Sequence, residues 1–233
     1  TEANYYEAFN TIESILKIKT IENVVKDKAF VLYKLNRIEE SKKICFFYLN
    51  KNNKDLGFLT VIGQCLFHER KYDEAIKIFE NILQIDSNNL SALNSLARTH
   101  NEKNENGKAE EYYLKALKID GSSFYLLNNI AGFYRENSSY DKAIDYYKQA
   151  LSVNPNNAYI YNNLAKVYFD LNNHKEAMEN SLKALKMKRN DGDIQKTISF
   201  IYLKDHDFDN GWNYFCLLYT SPSPRDLSTA RMP

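Results

Sequence analysis

The side chains in this sequence able to carry chemistry are four histidines, three cysteines and a few neighbouring carboxylates. They would serve as metal ligands, thiolate nucleophiles, or general acids and bases. His68, His100, His174 and His206 are scattered, and none belongs to an HExxH or comparable ligand spacing. Surface or packing roles are expected for all four. Cys45, Cys65 and Cys216 form no CxxC pair and no even framework, so free thiols in a reducing compartment are expected. Glu69 lies near Asp73, and Glu110 beside Glu111, but charges on helix faces are ordinarily solvated. There is no glycine-rich phosphate loop among the seven glycines and no GxSxG elbow. No active site, metal or cofactor is therefore expected within residues 1–215.

The elements that would position a site read as helices. The 233 residues are 44% hydrophobic and 26% charged, in the range of ordinary globular chains. Only seven glycines and four prolines are present, too few for the turns of an all-β fold of this length. The formal net charge of +1 gives no concentrated basic field, so neither nucleic acid nor a membrane surface is expected as a partner. No apolar run approaches the roughly 20 residues that span a bilayer. A cytoplasmic setting is expected.

One period organises the chain. Small residues recur every 34 positions at Ala29, Gly63, Ala97, Ala131, Ala165 and Ser199. A second small series, Ser41, Ala75, Ala109, Ala143, Ala177 and Gly211, keeps the same step. Ile62, Leu96, Ile130, Leu164 and Ile198 precede the first series. Phe79, Tyr113, Tyr147 and Phe215 follow the second by four residues, with Ser181 breaking the run and Cys45 standing where another aromatic is due. Within 124–157, Leu127, Ile130, Ala131 and Tyr134 give one helical stripe, and Tyr140, Ala143, Ile144, Tyr147, Ala150 and Leu151 a second. Each period is thus helix–turn–helix. The small residues let the two backbones approach, and the aromatic side chains fill the gaps against the next unit. Ser139 is expected to cap its helix, and Asn173 with Glu176 to form a capping box.

These residues resemble the tetratricopeptide repeat, a 34-residue helical hairpin. The segment 124–157, FYLLNNIAGFYRENSSYDKAIDYYKQALSVNPNN, matches nearly every place of its pattern. Segments 56–89, 90–123 and 158–191 match well, and 22–55 more weakly, with Lys28 where Leu is usual. Residues 1–21 read as the second helix of a truncated repeat, and 192–215 as an incomplete sixth repeat. The resemblance implies an all-α fold, a right-handed superhelical solenoid of antiparallel hairpins.

It also implies a role in binding a protein or peptide segment, in a concave groove lined by the first helices. The groove places that the resemblance assigns are Asn94 and Arg98, then Tyr125, Asn128 and Asn129, then Tyr159, Asn162, Asn163 and Lys166. An asparagine amide both donates and accepts, so it pairs with a peptide unit without reading its side chain. Asn129 and Asn163 resemble the asparagine ladder of O-linked GlcNAc transferases, although Asp27, Val61, Ser95 and Thr197 depart from it. The 28 asparagines also have a second explanation, an AT-rich codon bias that fills exposed places. Arg98, Asn128 and Lys166 weakly resemble the carboxylate clamp that grips chaperone tails, with Gln64 and Gly132 interrupting its basic places. An alternative role is the substrate-presenting accessory region of a larger enzyme such as a glycosyltransferase. Self-association through uncapped ends is a third expectation.

The end of the chain departs in composition. Residues 216–233, beginning Cys216-Leu217-Leu218-Tyr219-Thr220-Ser221-Pro222-Ser223-Pro224-Arg225-Asp226, hold three of the four prolines and neither Asn nor Lys. They resemble a translated sequencing adapter. On that reading the native chain is cut inside its sixth repeat and Cys216 is not native. The other reading is a Ser/Pro-rich linker.

Overall fold

The computed structural model describes residues 2–18 and 22–220, which form helices joined by short turns, with no strand among the described residues. The chain divides between Ile119 and Asp120 into two compact units. The first holds α1 (Glu2–Ile18), α2 (Glu22–Lys34), α3 (Ile38–Leu49), α4 (Leu56–His68), α5 (Tyr72–Ile85), α6 (Leu90–Glu102) and α7 (Asn106–Ile119). The second holds α8 (Phe124–Glu136), α9 (Tyr140–Val153), α10 (Ala158–Asp170), α11 (His174–Met187), α12 (Gly192–Lys204) and α13 (Phe208–Thr220). Within each unit every helix packs on its successor, and alternate helices α2, α4 and α6, or α8, α10 and α12, also touch. Each unit is therefore a row of hairpins, with first helices on one side and second helices on the other. The last helix, α13, continues past Phe215 through Thr220, so residues 192–220 make a hairpin with both helices. Residues 221–233 of the adapter-like tail lie outside the described residues.

The two small-residue series meet. The Ser41 hydroxyl on α3 donates to the Ala29 carbonyl on α2 at 2.7 Å, and Ser199 on α12 donates to the Gly211 carbonyl on α13 at 2.8 Å. Such contacts need backbones in close approach, which a long side chain at either place would hold apart. Gly63 shows the tolerance: a β-carbon there would sit 2.4 Å from Cε1 of Phe79, itself fully buried. In the first unit Phe58, Ile62, Phe79, Ile82 and Leu96 fill the core, and in the second Ile194 and Ile198 pack with Ala158 and Ala184.

The helix ends correct two expectations. Neither Ser139 nor Asn173 makes a side-chain capping bond. Their ψ angles, 64° and 76°, fall short of the extended backbone from which an N-cap side chain reaches the next N–H groups. The chain enters these second helices straight from a residue in the left-handed region. Asn36, Arg70, Asn104, Ser138, Asn172 and His206 all have φ of 56–61°. The next residue's N–H then reaches back into the first helix, as Lys71 to Leu66 at 2.9 Å and Ser139 to Tyr134 at 2.8 Å, the Schellman arrangement. The capping side chains stand instead at the first helices. Asp55 Oδ1 accepts from Gly57 and Phe58 N–H, Asn157 Oδ1 from Tyr159 and Ile160, and Asp191 Oδ1 from Asp193 and Ile194.

Candidate peptide-binding faces of the first helices

In the second unit the groove places lie on α8 and α10. Tyr125 is 70% exposed and Tyr159 50%, one on each helix and 34 residues apart. Two unusually exposed tyrosines in register give an amphipathic surface with an apolar body and a polar tip. The Lys188 ammonium donates to the Tyr159 hydroxyl and also lies over its ring, 3.9 Å from the centroid. Below them Asn163 Nδ2 donates to Asn128 Oδ1 at 3.0 Å, tying α10 to α8. Asp193 of α12 takes two donors on one oxygen, Asn162 Nδ2 at 2.8 Å and Lys166 Nζ at 2.7 Å. Asn129 is half-buried.

Asn162 differs from the expectation of an exposed groove amide. It is 1% exposed, and its Oδ1 is buried without a hydrogen-bond partner. The reason is its neighbour: Asp193 draws the amide into the α10–α12 contact. Sequence reasoning omitted Asp193, which stands at the place of Gly57, Ser91, Tyr125 and Tyr159 in the earlier periods, where a lone acidic residue marks no contact by itself.

In the first unit Asn94 is half-buried and Arg98 exposed, both on α6. The Arg98 guanidinium lies 5.0 Å from the Phe67 ring centroid on α4. On α2, Lys34 Nζ lies over Phe30 and Tyr33 at 5.2 and 5.1 Å. Partial desolvation first, and the Arg98 charge second, hold the Lys34 ammonium below the usual lysine range. Arg98 thus belongs to the first unit, and Asn128 and Lys166 to the second.

A family profile described as tetratricopeptide repeat matches residues 58–122 and 122–190, more than half of the chain. The chain belongs to the tetratricopeptide repeat family. Such repeats act broadly as protein-interaction scaffolds. No curated protein matches the chain. Among solved structures, PilF of Pseudomonas aeruginosa is 23% identical with a TM-score of 0.63, covering 72% of this chain and 78% of that one. A tetratricopeptide repeat protein from Parabacteroides merdae is 13% identical with a TM-score of 0.73, covering 97% and 90%. Cut9, in an APC/C hetero-tetramer with Hcn1, is 15% identical with a TM-score of 0.74, covering 97% of this chain and 45% of that one. At these identities the likeness is one of fold.

Within the tetratricopeptide repeats the histidines and cysteines are held by packing. His100 is buried, stacked on Tyr112, with Nδ1 2.9 Å from Glu105 Oε2. His174 pairs with Asp205, His68 meets Tyr33 edge-on, and His206 occupies a left-handed turn. Burial pushes the Cys45 thiol up to about 12 and raises that of Cys65, so both stay protonated and poorly nucleophilic near neutral pH. Among the described residues no cluster of three His, Cys, Asp or Glu side chains suits a metal ion, and no helix is long and apolar enough to cross a membrane.

Proposed function

We propose that the chain is a binding scaffold whose first helices hold a peptide or protein segment, built on five repeats over 22–191 and a further hairpin behind them. The observation that carries this reading is the pair of exposed tyrosines, Tyr125 and Tyr159, standing in register on α8 and α10 above amides already fixed in place. Exposed aromatic side chains cost little conformational entropy to immobilise and are enriched where proteins meet. The Asn128–Asn163 bond and the shared Asp193 carboxylate hold the surface between them, so little ordering is left for the moment of binding. Asn128, Asn129, Asn163 and Lys166 then present amide and ammonium groups to the ligand backbone. The face reads segment shape more than single side chains, because amides pair with any peptide unit.

Binding, without catalysis within this chain, also agrees with thiols kept protonated and imidazoles tied to carboxylates. The buried free thiols support a reducing, cytoplasmic setting. The test is selection of peptides from a random display library on the full chain, followed by affinity measurement on a Tyr125→Ala/Tyr159→Ala variant. The expected result is an enriched consensus whose affinity falls at least about tenfold in the variant, a loss of about 1.4 kcal/mol, while its unfolding midpoint is unchanged. A library that yields no consensus, or a variant that binds as tightly as the parent, would remove the assignment.

A further inference from the structure

At one place the 34-residue pattern is broken by a charge. Lys28 on α2 stands where the later periods carry Ile62, Leu96, Ile130, Leu164 and Ile198. Those five aliphatic side chains are all buried, each 4% exposed or less. A lysine does not plug the same space, because its stem is unbranched and its ammonium leaves the interior. Here the ammonium pairs with Glu13 on α1 and stays half-buried. What remains is a cavity of about 310 Å³, open to solvent, among α1, α2 and α3. Leu16, Val25, Ile44, Phe47 and Tyr48 wall it, and Lys28 and Lys43 complete its lining. Phe47 is a second departure, since Asn81, Lys115, Gln149 and Lys183 hold its place in the later periods. It is 57% exposed yet held from two sides, by a T-shaped contact with Tyr48 and by the Lys51 ammonium 4.5 Å from its ring centroid. Tyr48 stands at the place of Ile82, Ala116, Ala150 and Ala184, and stacks on Phe58. Lys43 makes no ion pair among the described residues. The carboxylates one turn before it are committed, Glu39 to Lys42 and Glu40 to Arg37.

We propose that this cavity binds a single-chain alkyl carboxylate, a medium-chain fatty acid, with its chain along Leu16, Val25, Ile44 and Phe47 and its head on the Lys43 and Lys28 ammoniums. The site is separate from the tyrosine face of the second unit, and neither depends on the other. Volume sets the size of the ligand: small-molecule sites span about 300–1,000 Å³, and this cavity, at the small end, suits one alkyl chain. The walls are apolar, so chain burial supplies the affinity, about fourfold for each methylene taken from water. Charge sets the head group. Two ammoniums against the single Glu13 carboxylate leave the lining net positive, and the Lys43 donors can form charge-assisted bonds with an anion. Lys28 thus both opens the cavity and contributes to its charge.

Isothermal titration calorimetry of the full chain with decanoate tests it, every ligand being kept below its micellar concentration. One site is expected, and decanoate should bind at least about tenfold more tightly than decanol, decyltrimethylammonium or butyrate. Lys43→Gln should weaken decanoate by about tenfold and leave decanol unaltered. Lys77→Gln, the same place one period later on α5, is the control and should change neither. Lys28→Leu restores the aliphatic plug of the other periods, so it should fold with a raised urea midpoint and lose decanoate and decanol alike. Decanoate binding that survives Lys28→Leu, or that fills several equivalent sites, would overturn the proposal. Equal affinity of the parent chain for decanoate and decanol would overturn it too, and that comparison needs no variant. So would a dimer in sedimentation that dissociates in Phe47→Lys and takes up no decanoate, since the face would then be an interface between copies of the chain.

Discussion

Adding one methyl group at Gly63 sets two effects of opposite sign against each other. Alanine is the better helix former by about 0.8–1.0 kcal/mol in a helix interior, which favours the variant. Against this, the new β-carbon would lie 2.4 Å from Phe79 Cε1 and 2.7 Å from Cζ. Ordinary contact begins at 3.4 Å, so the ring or the helix must retreat by 1.0 Å (3.4 minus 2.4). Phe79 is 1% exposed and has nowhere open to go. Overpacking of this kind costs about 1–3 kcal/mol, so Gly63→Ala is expected to lose up to about 2 kcal/mol net. Gly132 provides the internal control, because the nearest atom to its added β-carbon is the Tyr147 hydroxyl at 3.8 Å. With no clash to offset, Gly132→Ala should gain up to about 1 kcal/mol. Urea unfolding followed by circular dichroism gives both signs. An array of repeats need not melt in one step, so the midpoint of the first transition is the quantity to compare. Phe79→Leu placed on Gly63→Ala should recover part of the loss, and a double-mutant cycle would show the coupling. A Gly63→Ala chain that gains as much stability as the Gly132→Ala control would refute the claim that this contact sets the spacing of α4 and α5.

Four further outcomes follow from the same structure. Arg70→Gly, at φ 60°, relieves a left-handed penalty of about 1–2 kcal/mol and gives back about 0.5–1 in unfolded-chain entropy, so its urea midpoint should rise. Ser181→Ala removes a buried hydroxyl with no hydrogen-bond partner and should be neutral or stabilising by up to about 1 kcal/mol in the same melt. Cys45 and Cys65 should resist iodoacetamide at pH 8 in the folded chain and label fully in urea, as read by peptide mass spectrometry. Hydrogen bonds from Lys108 first, then Lys103 and His100, hold the Glu105 carboxyl down to about 2 from its ordinary 4.5. A depressed carboxylate lends stability above its unfolded pKa, so that contribution should fade as pH drops from 4.5 towards 2 and be missing throughout in Glu105→Gln, with pH-dependent urea midpoints as the measure.

The 34-residue period made the hairpins legible because close backbone approach accepts few residue types. Ala29 with Ser41, and Ser199 with Gly211, could be read from spacing alone, and the structure joins each pair by a hydrogen bond. The turn residues have the same step and were still missed. Their left-handed backbone is ordinarily signalled by glycine, yet here it is carried by Asn, Arg, Ser and His. The capping expectation failed for a related reason. Ser139 and Asn173 have suitable side chains, but the preceding left-handed residue fixes a backbone from which those side chains cannot cap. At the candidate faces the sequence located Tyr125, Tyr159 and the asparagines but not their partners. Asn163 with Asn128, and Asn162 with Asp193, are pairs 35 and 31 residues apart, contacts made across neighbouring first helices that miss the 34-residue step and so leave no trace in it. Lys34 escaped notice because its aromatic seat, Phe30 and Tyr33, lies on its own helix, and the Arg98 charge that acts on it stands on another.

The binding role is tested most directly by site-specific photocrosslinking with a library-selected peptide. Benzoylphenylalanine is placed at Tyr125 on first helix α8, or at the exposed Gln149 on second helix α9. The expected result is a peptide adduct from position 125, abolished by excess unlabelled peptide, and none from position 149. An adduct from position 149 with none from 125 would contradict the assignment of the first helices as the binding face.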